Sequence, residues 1–385
     1  MDIARSISVL ENLDGFDTMS RNSNLELIGW VEAYLDGLGV AHARVPDETG
    51  TKANLMATIG NADVPGYILS GHTDVVPVDG QSWASDPFRL AKRDGRLYGR
   101  GAADMKGFVA CCLAAVPDML ARKLKNPIHL ALSYDEEVGC LGVRRIIDRL
   151  RDWPVKPAAC FVGEPTCMQV VIGHKAKRSF KVVVHGRTCH SSLAPLGVNA
   201  VEYAARVVAK IRDVSDRLAK SGTRDTLYDV PFSTGHTGYL HGGTALNIVP
   251  DTATFEFEFR TIAADKSSDL VKEVIDYARD VLEPEMKAVA PEAGFDFQDR
   301  SEFAGLDTAE NAEITLLAKQ LSGRNSHSKV AYGTEGGLFS QAGIPTVVIG
   351  PGNIDQAHKA DEFIKITELE KCGQFLDRLI ALCAR

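Results

Sequence analysis

The chain has 385 residues, of which 45% are hydrophobic and 24% charged, and its net charge is −8. This balance is typical of a globular protein and excludes a disordered chain, a fibre and a coiled coil. At about 150 residues per domain, the length predicts two domains. With 51 acids against 43 bases, the sequence offers no basic stripe for phosphates, so nucleic acid is not an expected partner.

Neither a membrane nor an oxidising compartment is indicated. The longest apolar run, 108–116, is far shorter than the roughly 20 residues that cross a bilayer. The N-terminal segment has acids and polar residues where a signal peptide has an apolar stretch. Eight cysteines at irregular intervals, without a CxxC pair, fit neither a disulfide framework nor a zinc finger. We therefore expect a cytoplasmic protein without a membrane partner.

Buried strands alternate with helices in the first part of the chain. The short apolar runs with the length and composition of buried strands are 67–70, 128–133, 159–162 and 346–349. A helix that starts near Asp104 and another at 141–150 separate the first three. This order predicts an α/β fold with a mostly parallel, mixed sheet.

The middle of the chain follows a different pattern. The predicted elements there are a strand at 179–185, an amphipathic helix at 197–219, strands at 237–240 and 252–260, and a helix at 267–282. Phenylalanine alternates with glutamate from Phe255 to Phe259, which is typical of an antiparallel sheet with one wet face. We predict that 179–295 form a small α+β domain inserted into a larger domain of 1–178 and 296–385.

Metal-binding side chains follow each of the four predicted buried strands. They are, in strand order, His72 with Asp74, the run from Asp135 to Glu137, Glu164, and His358 after a glycine-rich turn. Ligands of open α/β sheets bind outside the carboxyl ends of the strands, so we expect these groups to meet in one crevice. Each group alone has an ordinary structural explanation, such as an acid at a helix N-terminus. Their convergence supports the hypothesis of a site.

A glycine-rich loop, GRGAADMKG, adds Asp104 to these groups. A dinucleotide fingerprint needs a glycine where Asp104 stands, and the chain has no P-loop and no G-x-S-x-G elbow, so these sites are not predicted.

The candidate ligands favour a pair of metal ions. Carboxylates that converge in one crevice repel one another, and a divalent cation removes that conflict. Histidine and carboxylate ligands suit zinc, cobalt or manganese. Two histidines with three or four carboxylates exceed one tetrahedral site and suit two ions about 3.5–4 Å apart. A spare carboxylate then takes a proton from water, which predicts a two-metal hydrolase. The pattern leaves open whether Glu136 or Glu137 is that base.

Five motifs in order, GHTDVVP, GRGAADMKG, DEEVGCLG, GEPT and the late His358, resemble the M20 family of di-zinc aminoacylases and peptidases. The resemblance covers nearly the whole chain and implies a zinc-peptidase-like catalytic domain with an inserted lid and dimerisation domain, and hence a homodimer. The roles it implies are zinc binding by His72 with Glu164 and by Glu137 with His358, a bridge by Asp104, orientation of His72 by Asp74, and general base catalysis by Glu136.

The resemblance also implies roles in the inserted domain and in the late glycine-rich turn. His190, in TCHSS, matches a lid histidine that reaches the partner subunit's site and stabilises an oxyanion. Asn247 and Arg260 match positions that hold the substrate, and Arg260 suits an α-carboxylate. Glu335, in GTEGG, would meet a substrate ammonium. Without the resemblance, a lone histidine such as His190 is more often structural.

The sequence leaves three hypotheses about the activity open. GEPTCMQVVIGHKAK and CHSSLAPLGVNAVEYAARV are most similar to the branch that converts N2-acetyl-L-ornithine to L-ornithine and acetate in arginine biosynthesis. The metal motifs fit a desuccinylase of N-succinyl-diaminopimelate, or another N-acyl-amino-acid deacylase, equally well. A metal-binding scaffold without activity is a remote third reading, because every ligand position and the base are present.

Overall fold

The structure is a computed structural model that describes residues 2–385. Its α-helices, in chain order, are α1 (Ile3–Asp14), α2 (Leu25–Gly37), α3 (Lys106–Ala121), α4 (Val143–Arg151), α5 (Ala200–Ser221), α6 (Ser267–Asp276), α7 (Glu283–Val289), α8 (Glu313–Ser322), α9 (Gly336–Gln341) and α10 (Ile366–Cys383). Among residues 2–385, no helix has the length and apolar character needed to span a membrane.

The strands lie between these helices, several of them in uninterrupted runs. In chain order they are β1 (His42–Pro46), β2 (Ala53–Ile59), β3 (Tyr67–His72), β4 (Ala91–Arg93), β5 (Arg96–Tyr98), β6 (Ile128–Ser133), β7 (Ala159–Val162), β8 (Val170–His174), β9 (Ala176–His185), β10 (Thr234–Gly242), β11 (Thr252–Thr261), β12 (Gly294–Phe303), β13 (Leu306–Asp307), β14 (His327–Val330), β15 (Thr346–Val348) and β16 (Phe363–Lys365).

The chain divides into two compact units. The first runs from the start of the described chain to His174 and also includes Leu306–Lys329 and Thr334–Arg385. The second comprises Lys175–Gly305 and Val330–Gly333. Residues 179–295, the predicted insertion, lie inside the second unit. That unit extends further at both ends because β9 begins at Ala176 and pairs with β12 as far as Phe303.

The first unit is built on a mixed nine-stranded sheet. Its order is β1-β2-β6-β3-β7-β15-β8-β13, with β14 paired to β8. The four central strands, β6, β3, β7 and β15, pair in parallel, and they are the four predicted buried strands. The pairs β1–β2, β2–β6, β15–β8 and β8–β13 are antiparallel. The predicted mixed α/β fold is confirmed, with parallel pairing among the four central strands.

Helix α3 supports the central strands from one side. Every residue of its first turns, from Lys106 to Val116, is buried, and the helix packs against α1, α10 and β3. Phe108 lies so close to the end of β7 that a Cβ on Gly163 would be 2.0 Å from its ring. Gly163 is therefore required for the close approach of strand and helix, and this contact positions the next residue, Glu164.

The second unit is an antiparallel sheet covered by helices. The strand order is β10-β11-β9-β12. Phe255, Phe257 and Phe259 are buried against α5 and α6, while Glu256 and Glu258 on the opposite face are partly exposed, as the alternation predicts. Helix α5 starts at residue 200 because the side chain of Asn199 accepts the N–H groups of the first turn.

Candidate metal centre

The predicted ligands lie at the carboxyl ends of the parallel strands. His72 is the last residue of β3, Glu137 follows β6, and Glu164 follows β7. Asp104 precedes α3, and His358 lies in the segment between β15 and β16. Parallel strands end at one edge of the sheet, so residues up to 286 positions apart in the chain meet there.

Asp104 lies between the two histidines. Its Oδ1 is 3.2 Å from Nε2 of His72, which is also 3.8 Å from Oε1 of Glu164. Its Oδ2 is 3.4 Å from Nε2 of His358, which is 3.1 Å from Oε2 of Glu137. Each oxygen of one carboxylate therefore faces a different histidine, and each histidine has a second carboxylate beside it.

Two overlapping groups of donor atoms have the spacing of a metal site. One consists of His72, Asp104 and Glu137, and the other of His72, Glu136 and Glu164; in each group the donor atoms lie within 4.8 Å of one another. The sequence pattern does not separate the neighbouring acids Glu136 and Glu137. The structure distinguishes them, because Glu137 pairs with His358 and Glu136 lies beside His72.

Burial makes this cluster electrostatically costly without a cation. Burial and the nearby charge of Asp104 raise the pKa of Glu137 to about 7 and that of Glu164 well above its usual value. Hydrogen bonds to Asp104 and Glu137 raise the pKa of His358 to about 10. Oε1 of Glu137 is buried and has no hydrogen-bond partner among residues 2–385. A carboxylate oxygen in this state fits a divalent cation, because the ion offsets both the repulsion and the lost hydration.

Asp74 orients His72 through its main chain. Nδ1 of His72 donates to the Asp74 carbonyl oxygen at 2.9 Å, and the carboxylate Oδ1 is 3.6 Å away. A carbonyl only accepts, so Nδ1 carries a proton and Nε2 is the nitrogen that faces the carboxylates. The Asp74 carboxylate accepts the main-chain N–H groups of Glu136 at 3.1 Å and Glu137 at 3.3 Å, which holds the loop after β6 beside the histidine.

Two further acids lie near His72: Glu136 is half-buried and Glu335 is buried. Burial is the main cause that raises the pKa of Glu136 well above its usual value, and the Cys140 thiol donates to its Oε1 at 3.3 Å. Glu335 is 1% exposed, and its two oxygens accept the hydroxyls of Ser70, at 3.0 Å, and Ser133. Each oxygen of Glu335 thus accepts a hydroxyl from a strand of the central sheet, and its contact with a substrate ammonium stays a prediction.

The remaining predicted residues belong to the second unit. His190 is exposed, and its Nδ1 accepts the N–H of Ser192 at 3.2 Å. Asn247 lies on the adjoining segment, where its carbonyl accepts the N–H of Ser191 at 3.0 Å. Arg260 is partly exposed near the end of β11, with Nε donating to Oε1 of Glu258 at 2.9 Å. His190 and Asn247 are therefore neighbours on one surface, and Arg260 lies on the sheet.

Sequence reasoning missed the groups that hold the ligands. Glu362 is 1% exposed, and its Oε1 accepts the main-chain N–H groups of Gly101, Ala103 and Asp104 at 2.9–3.1 Å. Arg100 donates to its Oε2 at 2.7 Å. In the sequence, the acidic pair Asp361-Glu362 after His358 resembles an ordinary exposed segment, so it is a weak signal for this role.

Fold and site together define a metal-dependent hydrolase. The family model of the Peptidase family M20/M25/M40 matches residues 68–382, and the chain belongs to this family. It is 31% identical to an acetylornithine deacetylase of Proteus mirabilis (strain HI4320), over 99% of the chain and 95% of that protein. It is 32% identical to an acetylornithine deacetylase of Myxococcus xanthus, over 97% and 96%.

Solved structures show the same fold. An aminopeptidase from Bacillus cereus ATCC 10987 aligns with a TM-score of 0.79 and 20% identity, over the full length of both chains. An M20 family metallo-carboxypeptidase from Sulfolobus solfataricus aligns with a TM-score of 0.75 and 19% identity, also over the full length of both. At these identities the likeness extends to the fold and not to the substrate.

Proposed function

We propose that this chain is a two-metal amidohydrolase that converts N2-acetyl-L-ornithine to L-ornithine and acetate, a reaction of arginine biosynthesis. The observation that carries the proposal is the position of Asp104, whose two oxygens lie 3.2 and 3.4 Å from histidines on separate segments. This is the arrangement expected of a carboxylate that bridges two divalent ions. The substrate is taken from relatives that are 30–32% identical over nearly the whole chain and bear the name acetylornithine deacetylase.

The proposed ligand set uses all five clustered residues. His72 and Glu164 would hold one ion, Glu137 and His358 the other, and Asp104 both. One imidazole and carboxylates at each position suit zinc, with cobalt and manganese as alternatives. The buried, unpartnered Oε1 of Glu137 supports this assignment. When bound, the ions polarise the substrate carbonyl and make water more acidic.

Glu136 would move the proton in this reaction. It accepts a proton from the water that attacks the amide carbon, and it donates that proton to the nitrogen of the departing amine as the C–N bond breaks. Acetate and the free amino acid are the balanced products. Burial raises the pKa of Glu136, which suits a group that must both take and return a proton near neutral pH.

The second unit would supply the remaining contacts as a lid and dimerisation domain. We propose that His190 donates to the oxyanion in the partner subunit's site, that Asn247 binds the substrate, and that Arg260 pairs with the substrate α-carboxylate. The exposure of His190 supports this, because an exposed imidazole is accessible to a partner subunit. The homodimer is part of the same proposal.

The decisive experiment measures amine release from a panel of amides. Zinc-loaded protein is incubated with N2-acetyl-L-ornithine, N-succinyl-diaminopimelate and several N-acetyl amino acids. Preference for N2-acetyl-L-ornithine supports the proposal. Faster cleavage of another amide keeps the two-metal chemistry but contradicts the substrate, and no cleavage by a chain that binds two zinc ions contradicts the activity.

A further inference from the structure

His358 is held differently from the other proposed ligands. Its side chain is 55% exposed, whereas that of His72 is 1% exposed. Its φ is +62°, in the left-handed region that a residue with a Cβ rarely adopts. Core packing therefore does not fix its side chain, and its unfavourable backbone conformation persists only where neighbouring contacts hold it. The position of its imidazole beside Asp104 and Glu137 must depend on contacts to its main chain.

The side chain of Gln81 makes such a contact. Its Nε2 donates to the carbonyl oxygen of His358 at 3.1 Å. Its Oε1 accepts from Nη2 of Arg100 at 2.5 Å and from Nε1 of Trp83 at 3.1 Å. The orientation of the amide is unambiguous, because two donors face its oxygen and an acceptor faces its nitrogen.

Arg100 continues this network to the loop that carries Asp104. It donates to Glu362, and Glu362 in turn accepts the main-chain N–H of Asp104 at 3.0 Å. Arg100 and Glu362 are each 1% exposed, so this half of the network is rigid. Of these side chains, Gln81 contacts both halves: Arg100 of the buried pair behind Asp104, and the main chain of His358.

We propose that Gln81 is a positioning residue that fixes the main chain of His358 against the Arg100–Glu362 pair, and so sets the affinity of the metal position formed by Asp104, Glu137 and His358. The inference rests on the proposed function, since it assumes that this position binds metal. Loss of a group that orients a metal ligand typically weakens metal binding about 10- to 100-fold. His358 is not a proposed ligand of the position formed by His72 and Glu164, so we expect that position to keep its affinity.

Two substitutions separate the contacts of Gln81. Gln81→Ala removes all of its hydrogen bonds. Gln81→Glu keeps an acceptor for Arg100 and Trp83 but has no N–H to donate to the His358 carbonyl. Gln298→Ala is the matched control, because Gln298 is an exposed glutamine of the second unit whose amide donates to Asp296 at 2.6 Å.

The measurement is zinc binding by the metal-free full chain in competition with a chromophoric chelator, without substrate. Metal-free unfolding curves check that each variant is folded. We expect one of the two zinc dissociation constants to rise about 10- to 100-fold in both Gln81 variants and to stay unchanged in Gln298→Ala. His358→Ala should weaken the same constant, and adding Gln81→Ala to it should have little further effect, since the two changes act on one ligand.

Several outcomes overturn the inference. Unchanged constants in Gln81→Ala, equal weakening of both constants, or wild-type binding by Gln81→Glu each contradict the role of the Gln81–His358 hydrogen bond. A wild-type chain that binds two zinc ions leaves the proposed metal centre intact in all three cases. A wild-type chain that binds fewer than two contradicts the proposed function itself, and the inference with it.

Discussion

Substitution of Gly163 by alanine should destabilise the first unit and weaken metal binding at its strand ends. A Cβ at this position would lie 2.0 Å from Cδ1 of Phe108, where ordinary van der Waals contact needs about 3.4 Å. The ring must therefore move by roughly 1.4 Å, yet Phe108 is 1% exposed and lies against Gly71 on another strand. Overpacking of this kind costs about 1–3 kcal/mol, because a close-packed core has no space to receive the ring.

The same displacement should reach the proposed ligands. Glu164 directly follows Gly163, and His72 directly follows Gly71, so movement of either strand end changes the 3.8 Å separation of Oε1 of Glu164 from Nε2 of His72. We expect Gly163→Ala to weaken zinc binding at the position formed by these two residues. Zinc competition with a chelator measures this effect separately from stability.

A double-mutant cycle with Phe108→Ala tests the steric argument. Phe108→Ala alone should cost about 3–5 kcal/mol in the free energy of unfolding, because it leaves a cavity. It also makes room for the new methyl group, so Gly163→Ala should add almost nothing in that background. Chemical denaturation of the metal-free proteins gives these values. Gly29→Ala in α2, where a Cβ meets no atom of the described residues within 4 Å, is the control and should be neutral or stabilising.

The steric reasoning would be refuted by either of two results. One is a cost for Gly163→Ala as small as that of Gly29→Ala. The other is an equal cost of Gly163→Ala with and without the Phe108 ring, since that would place the strain elsewhere.

Three further predictions concern catalysis, acid stability and metal removal. Glu136→Gln should lower kcat at least about 100-fold through loss of proton transfer while two zinc ions remain bound, and kcat near the wild-type value would contradict its role as base. Burial lowers the pKa of His129 from 6.5 to about 4. As the pH falls, the unfolded chain therefore takes up a proton on this residue before the folded chain does. The free energy of unfolding should keep its full value above pH 6.5 and fall by up to about 3 kcal/mol as the pH drops towards 4. Urea unfolding at several pH values should show this loss in the wild type and a smaller one in His129→Gln. Removal of metal by a chelator should lower the thermal midpoint, because ions that bind only the folded state stabilise it, and added zinc should restore it; an unchanged midpoint counts against a metal centre.

The sequence by itself determined the central strands and much of the second unit. The four apolar runs that predict buried strands are the four parallel strands, and the phenylalanine alternation around Phe257 gives the buried face of β11. These features follow from the pattern of side chains along a few consecutive residues, and this pattern is the same wherever the strand packs. The strand-end rule then brought His72, the run from Asp135 to Glu137, Glu164 and His358 together as a hypothesis, and the glycine-rich loop added Asp104.

Tertiary structure decided the flanking strands. Strand β2 is fully paired in the sheet, but Asn54 interrupts its apolar run in the sequence. The structure buries this amide because its Nδ2 donates to the Gly142 carbonyl at 2.9 Å and its Oδ1 accepts the N–H of Tyr134 at 3.3 Å. Both partners are at least 80 residues away in the chain, so no local sequence pattern around Asn54 predicts these two hydrogen bonds.

Tertiary structure also decided which side chains lie next to one another at the site. Glu136 and Glu137 are adjacent acids with the same chemistry, and their positions relative to His72 and His358 distinguish them. The contacts of Gln81 with His358 and of Glu362 with Asp104 join residues more than 250 positions apart. Propensity and periodicity act over one or two turns of chain, whereas these hydrogen bonds exist only after the sheet has brought separate strand ends to one edge.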